Sequence, residues 1–243
     1  MPAVTEEAFR LVGTPRFGGI LVVADHASNR VPDDIDLGID PALMDEHIAV
    51  DIGVAGIAEI MARRKGTAAL LGNVSRLVCD TNRTEVDPAS VPEVSDGRPI
   101  PGNLGVDREA RLARFHRPFH AMLTKLMEDT PPALTLILHS YTDRLATEPD
   151  VLRPWHCGLL YDNDDRGARA AFPLLEAEGL IVGDQLPYSG KIYNAAIERH
   201  VESEGRPYLY IEIRQDLIVE SSGQSEWADR MTRICNRVAL QLA

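Results

Sequence analysis

Cysteine, positive charge and long apolar runs are all scarce in this sequence, and each shortage excludes something. Three cysteines occur, Cys79, Cys157 and Cys235, widely spaced and with no CxxC pair. That excludes a thiolate metal site and a disulfide framework, and a reducing compartment is expected. Lys and Arg total 25 against 37 Asp and Glu, a formal charge of −12, which argues against nucleic acid or an anionic membrane as partner. An anionic small molecule stays possible, because a local arginine cluster can reverse the sign inside a pocket. No apolar stretch of about 18 residues is there to span a membrane. Residues 1–7 have neither the basic region nor the apolar run of a signal peptide. Repeats, low-complexity tracts and linkers are missing too. A soluble, cytoplasmic protein is expected.

What is present reads as one domain. With 243 residues, 44% apolar and 26% charged, the chain can bury a core without staples. Continuous apolar runs at 20–24 and 134–139 predict buried strands. Further strands are expected at 68–71, 75–79, 155–161 and 208–213. Near-helical spacing of Leu43, Ile48, Ile52, Ile57 and Ile60 predicts a helix from Pro41 to the basic stretch before Gly66. Helices are also expected over 107–128 (with a kink at Pro118), 166–178, 192–204 and 225–242. Residues 85–103, with four prolines and two glycines, are too long for an ordinary connection and read as a functional loop or flap. Interleaved strands and helices imply an α/β fold, one domain over 1–243.

Ligands of open α/β sheets bind beyond the carboxyl ends of the strands. His26 follows the first buried strand and His139 ends another, which core packing does not require. Two imidazoles on separate strand ends suggest a metal site lacking a carboxylate. Asp25 is adjacent to His26 and is expected to point elsewhere. Asp45, Glu46 and Asp51 stand at a presumed helix start, where the helix dipole alone would favour them. Glu212 falls inside an apolar strand. Its burial is costly unless it is paired, ligates metal or serves as a base, and the alternative is an outward position on a half-exposed strand. Arg76, Asn82 and Arg83 could form an anion site. His116 and His120, at i and i+4, could share a metal. With no Glu after the first, they read as lining a helix face.

Five segments then fit a known pattern: Asp25-His-Ala-Ser-Asn-Arg-Val-Pro32, Asp45-Glu-His-Ile-Ala-Val-Asp-Ile-Gly53, Ser75-Arg-Leu-Val-Cys-Asp-Thr-Asn-Arg83, Leu138-His-Ser140 and Tyr210-Ile-Glu-Ile-Arg214. In this order, over roughly residues 20–216, they resemble the N-formylglutamate amidohydrolase family. That family is similar to zinc carboxypeptidases and aspartoacylases. The resemblance implies a phosphorylase/hydrolase-like fold, with a mixed central sheet and helices on both faces. It also implies hydrolysis of a small acidic N-acyl amino acid by a water activated on one zinc ion. Carried over by position, His26 and His139 match the zinc histidines and Arg76 an arginine that polarises the scissile carbonyl. Asn82 and Arg83 match a pair that grips the substrate carboxylate, and Glu212 matches the catalytic glutamate. Where carboxypeptidases and aspartoacylases have a zinc-binding Glu three residues after the first His, this chain has Asn29. The third ligand is then expected from Asp45, in the Asp-x-His motif, with Asn29 through its carbonyl oxygen, Glu46, Asp51 or a water as the alternatives. Ser189, in the turn-rich stretch 187–190, is taken as a further substrate contact. The readings left beside this one are a zinc hydrolase for another N-acyl compound or small peptide, and a non-catalytic binder of acidic amino acids.

Overall fold

The computed structural model describes residues 4–192 and 199–243. Ten short segments are extended: β1 (Val4–Thr5), β2 (Phe9–Gly13), β3 (Ile20–Ala24), β4 (Thr67–Gly72), β5 (Val94–Ser95), β6 (Arg98–Pro99), β7 (Leu134–Tyr141), β8 (Cys157–Leu160), β9 (Val182–Asp184) and β10 (Tyr208–Arg214). Eight of them form one mixed sheet in the order β1-β2-β4-β3-β7-β10-β8-β9, while β5 and β6 make a separate hairpin. The four central strands β4, β3, β7 and β10 run parallel, and β2 and β8 flank them antiparallel.

Helices cover both faces, as the family resemblance implies. On one lie α1 (Val54–Ala62), α4 (Arg166–Glu176) and α5 (Ser221–Leu242), which pack Ile57, Leu175 and Ile234 against Val22, Leu138 and Ile211. The other is covered by α2 (Arg108–Arg111) and α3 (Arg117–Asp129) with the wider π turn Leu112–His116 between them. Phe115, Phe119 and Leu123 there pack on Leu21, Val23 and Ile137. With both faces covered, β3, β4 and β7 are buried along their whole length. This is why they read as unbroken apolar runs rather than alternating ones.

Three expected elements come out differently. The helix expected from Pro41 is a short 3₁₀ turn, Pro41–Asp45, and α1 starts only at Val54, after Gly53 at φ 85°. Residues 46–53 between them are irregular and bury Ile48 and Ala49 from a loop, which imitates helical spacing. The strand expected over 75–79 is a turn. The Ser75 hydroxyl donates to Ala49 O (2.8 Å) and accepts from Leu77 N (3.1 Å), and these local bonds outcompete a ladder. Where a kink was expected at Pro118, a π turn, Leu112–His116, precedes the proline, which sits in the first turn of α3. Strands β1, β2 and the hairpin escape the periodicity argument because they are short or lie at the sheet edge. Of the helix expected over 192–204, residues 193–198 lie outside the described residues, and its end is a 3₁₀ turn, Glu202–Glu204. No helix among the described residues is long and apolar enough to cross a membrane.

Candidate active site

The carboxyl ends of β3, β7 and β10 open on one crevice. Asp25 and His26 follow β3 directly. His139 and Glu212 are partners in the parallel register of β7 and β10, so their side chains leave the same face of the sheet side by side. Gly72 at the end of β4 makes room for this turn: a Cβ there would fall 1.9 Å from Asp25 O. The irregular loop 46–53 crosses beneath, held by Asp51 N donating to His26 O at 3.0 Å. A cavity of about 280 Å³ results, with His26, His139, Glu212, Arg76, Asn82 and Arg83 among its walls.

The hydrogen bonds fix what each imidazole offers. His26 Nε2 lies 2.7 Å from Asp80 Oδ1 and His139 Nδ1 lies 2.8 Å from Asp51 Oδ2. A carboxylate only accepts, so each of these nitrogens carries the proton. The other nitrogens, His26 Nδ1 and His139 Nε2, have no hydrogen-bond partner, nor does either oxygen of Asp25. Yet Asp25 Oδ1 is 3.2 Å from His139 Nε2 and 3.7 Å from His26 Nδ1. Buried polar atoms are normally satisfied. Three unsatisfied ones facing a common point form a group able to hold a metal ion, with ligand atoms from Asp25, His26 and His139 all within 4.8 Å of one another. Asp51 and Asp80 stand behind the imidazoles as the orienting carboxylates that metal-binding histidines usually have.

Charge is concentrated in this buried space. Asp25, Asp51, Asp80 and Glu212 are all at most 6% exposed. Arg76 bridges two of them, 3.3 Å from Asp51 and 3.2 Å from Asp80. Burial and the Arg76 charge disfavour a protonated His26, but Asp80, Asp25 and Asp51 outweigh them and push its pKa up to about 10. Asp51 and Asp80 are held below the usual carboxylate range despite burial, chiefly by the charge of His26. Glu212 moves the other way. Burial drives it up to about 8, against the pull of His139, and its Oε2 has no partner. Such a carboxyl is neutral or charged near pH 7 according to what lies beside it, as a proton carrier must be.

Of the residues expected from the sequence, His26, His139, Arg76, Asn82, Arg83 and Glu212 meet at the cavity. Asp45 does not. It is exposed, and its Oδ1 accepts from Asn29 Nδ2 at 3.0 Å on the exterior. The carboxylate beside the two imidazoles is Asp25. A sharp turn straight after the strand frees consecutive side chains from strict alternation, so neighbours in sequence converge. Ser189 is not a wall residue either; its neighbour Tyr188 is. Asp51 and Asp80 were within reach of sequence reasoning, since each stands in one of the quoted motifs, but their role depends on the fold. The 85–103 loop does reach the cavity. Asp96 on its hairpin accepts from His47 (3.1 Å) and from Ala146 N (2.7 Å), joining three loops at the rim.

A sequence profile described as N-formylglutamate amidohydrolase matches residues 18–219, which contain every residue of this cluster. The chain belongs to the N-formylglutamate amidohydrolase family. Among solved structures, it is similar to a gene product of Agrobacterium tumefaciens, with 26% identity and a TM-score of 0.89 over 98% of this chain and 96% of that one. It is also similar to an N-formylglutamate amidohydrolase from Ralstonia eutropha, with 20% identity and a TM-score of 0.69 over 98% of each chain, a likeness of fold. No curated protein sequence matches it. Membership makes the chain a hydrolase of the amidohydrolase kind.

Proposed function

We propose that this family member hydrolyses the amide bond of an N-acyl amino acid, an N-formyl one such as N-formylglutamate first of all, with one bound zinc ion. The observation that carries the reading is the convergence of three unpartnered buried ligand atoms, from Asp25, His26 and His139, beside the unpartnered Oε2 of Glu212. Two imidazoles and a carboxylate are a donor set that zinc takes in catalytic sites. A divalent cation also offsets the cluster of buried carboxylates, which would otherwise repel an acidic substrate. When bound, zinc supplies a Lewis acid at the acyl carbonyl.

The chain's own groups do the rest. Glu212 takes a proton from the attacking water and passes it to the departing amine, a transfer its raised pKa suits. Arg76, braced by Asp51 and Asp80, presents a fixed positive charge to the developing oxyanion. Arg83 and Asn82 grip the substrate carboxylate. The Asn82 amide meets Tyr210 Oη at 3.2 Å through Nδ2. Turned over, it accepts from that hydroxyl and offers both N–H groups to the carboxylate. Ser189 stands next to the wall residue Tyr188, and closure of the 187–191 turn would bring it to the substrate. The chain acts as one domain over 1–243 on this reading, and its three buried free thiols suit the cytoplasm.

The test is elemental analysis of protein purified without added metal, together with turnover on a panel of N-formyl, N-acetyl and dipeptide substrates. Full activity in a metal-free chain ends the zinc reading. A zinc-loaded chain with no turnover on any of them ends the hydrolase reading. A non-catalytic binder has no use for a buried carboxyl without a partner, which is the reason to prefer an enzyme.

A further inference from the structure

Behind the cavity lies a histidine cluster that the proposed chemistry does not use. His116, on the π turn, and His120, on α3, are four residues apart and share one helix face. Both are 1% exposed, and His200 at 3% packs beside them. The His116 and His120 rings are 4.3 Å apart between centroids, and those of His120 and His200 are stacked at 5.0 Å, 6° from parallel.

The hydrogen bonds of this cluster run to the segment that carries Asn82 and Arg83. His120 Nε2 lies 2.9 Å from Thr81 O, and His116 Nε2 lies 2.8 Å from Arg83 O. A carbonyl only accepts, so both Nε2 atoms carry the proton. His120 Nδ1 must then accept, and it does so from His200 Nε2 at 2.7 Å. His200 thus fixes the tautomer in which His120 can hold Thr81. Burial lowers the pKa of all three, that of His200 to about 4, so the cluster is neutral at pH 7 and keeps this arrangement. On its other side the same segment is tied to Asp80, whose Oδ1 accepts from Asn82 N (2.9 Å) and whose O accepts from Arg83 N (3.3 Å). The π turn sits where the helix passes this segment and sets the angle at which His116 meets it, a placement typical of such turns.

We propose that His116 and His120, with His200 setting the tautomer of His120, are positioning residues. They clamp the carbonyls on either side of Asn82 and so aim Asn82 and Arg83 at the carboxylate of the substrate. The inference rests on the hydrolase reading and adds a residue set that touches neither substrate nor metal.

The test compares an N-formyl amino acid with its C-terminal carboxamide, which lacks the anionic group. For each enzyme the measured quantity is the ratio of the two KM values, alongside kcat, zinc content and melting temperature. His116→Leu removes the donor to Arg83 O. KM for the carboxylate substrate is expected to rise about tenfold, with KM for the carboxamide and kcat nearly unchanged. His116→Gln, whose amide N–H reaches the place of Nε2, keeps the wild-type ratio. His116→Asn, whose amide ends short of it, loses the ratio while remaining polar, and this pair decides the matter if the leucine variant does not fold. His120→Gln and His120→Asn repeat the comparison at Thr81 O. A ratio that survives in the asparagine variants overturns the clamp, as does one lost equally in the glutamine variants. A parallel rise of both KM values also overturns it, since that reports general loosening. A zinc-loaded wild type with no turnover overturns instead the reading on which the clamp depends.

Discussion

Glu212→Gln separates the chemistry of the buried carboxyl from its electrostatic cost. In the metal-free protein the pKa of Glu212 is displaced from 4.5 to about 8. A carboxyl with a raised pKa favours folding below pH 4.5, where it is protonated in both states. As pH rises from 4.5, the unfolded chain ionises while the folded one holds its proton, so stability falls until about pH 8 and then levels. At about 1.4 kcal/mol per pH unit the full displacement is worth about 5 kcal/mol, or roughly 10–20 °C in melting temperature for a chain of this length. Glutamine has the shape of the protonated acid and no ionisation. Thermal melts of chelator-treated wild type and E212Q should therefore coincide near pH 4.5 and separate as pH rises, the variant being the more stable at pH 9. Groups remote from Glu212 are common to both and cancel in the difference, while the pull of His139 and His26 on its carboxyl is already contained in the displacement. Parallel melting curves from pH 5 to 9 would refute the placement of an ionisable, unpartnered carboxyl in that apolar strand. The zinc-loaded variant should keep its metal and lose turnover by about 10²–10⁴-fold.

Asp25→Asn should weaken zinc binding by about 100-fold or more, while Asp45→Asn leaves it within twofold. A chelator competition titration reads both, and a larger loss in the Asp45 variant would return the third ligand to the sequence-based choice. Protons and metal compete for His26, whose pKa is raised from 6.5 to about 10. Apparent zinc affinity should thus climb from pH 6.5 towards 10, at up to about tenfold per unit, and a flat profile would contradict the carboxylate cage around the imidazole. Without metal, the same His26 shift stabilises the fold below pH 6.5, and that contribution is gone above about pH 10. Arg76→Lys keeps the charge but cannot brace against Asp51 and Asp80 together. It should retain zinc and lower kcat by about 10–100-fold in steady-state assays.

The sequence by itself determined the fold class and most of the site. Apolar runs at β3, β7 and β10 mark buried strands, and the polar residues just after, late in or within them stand out because burial there has a cost. His26, His139 and Glu212 were legible for that reason, and the ordered motifs added Arg76, Asn82 and Arg83. What the sequence leaves open is where neighbouring side chains go once the chain leaves a strand. Alternation suggested that Asp25 would diverge from His26, and Asp45 took its place as ligand. The turn after β3, packed against Gly72, brings Asp25 and His26 together, while Asp45 ends on the exterior against Asn29. Likewise, i, i+4 spacing puts His116 and His120 on one face but does not say what that face meets. Tertiary packing decided both cases, because convergence of side chains across elements depends on contacts distant in sequence that no local period records.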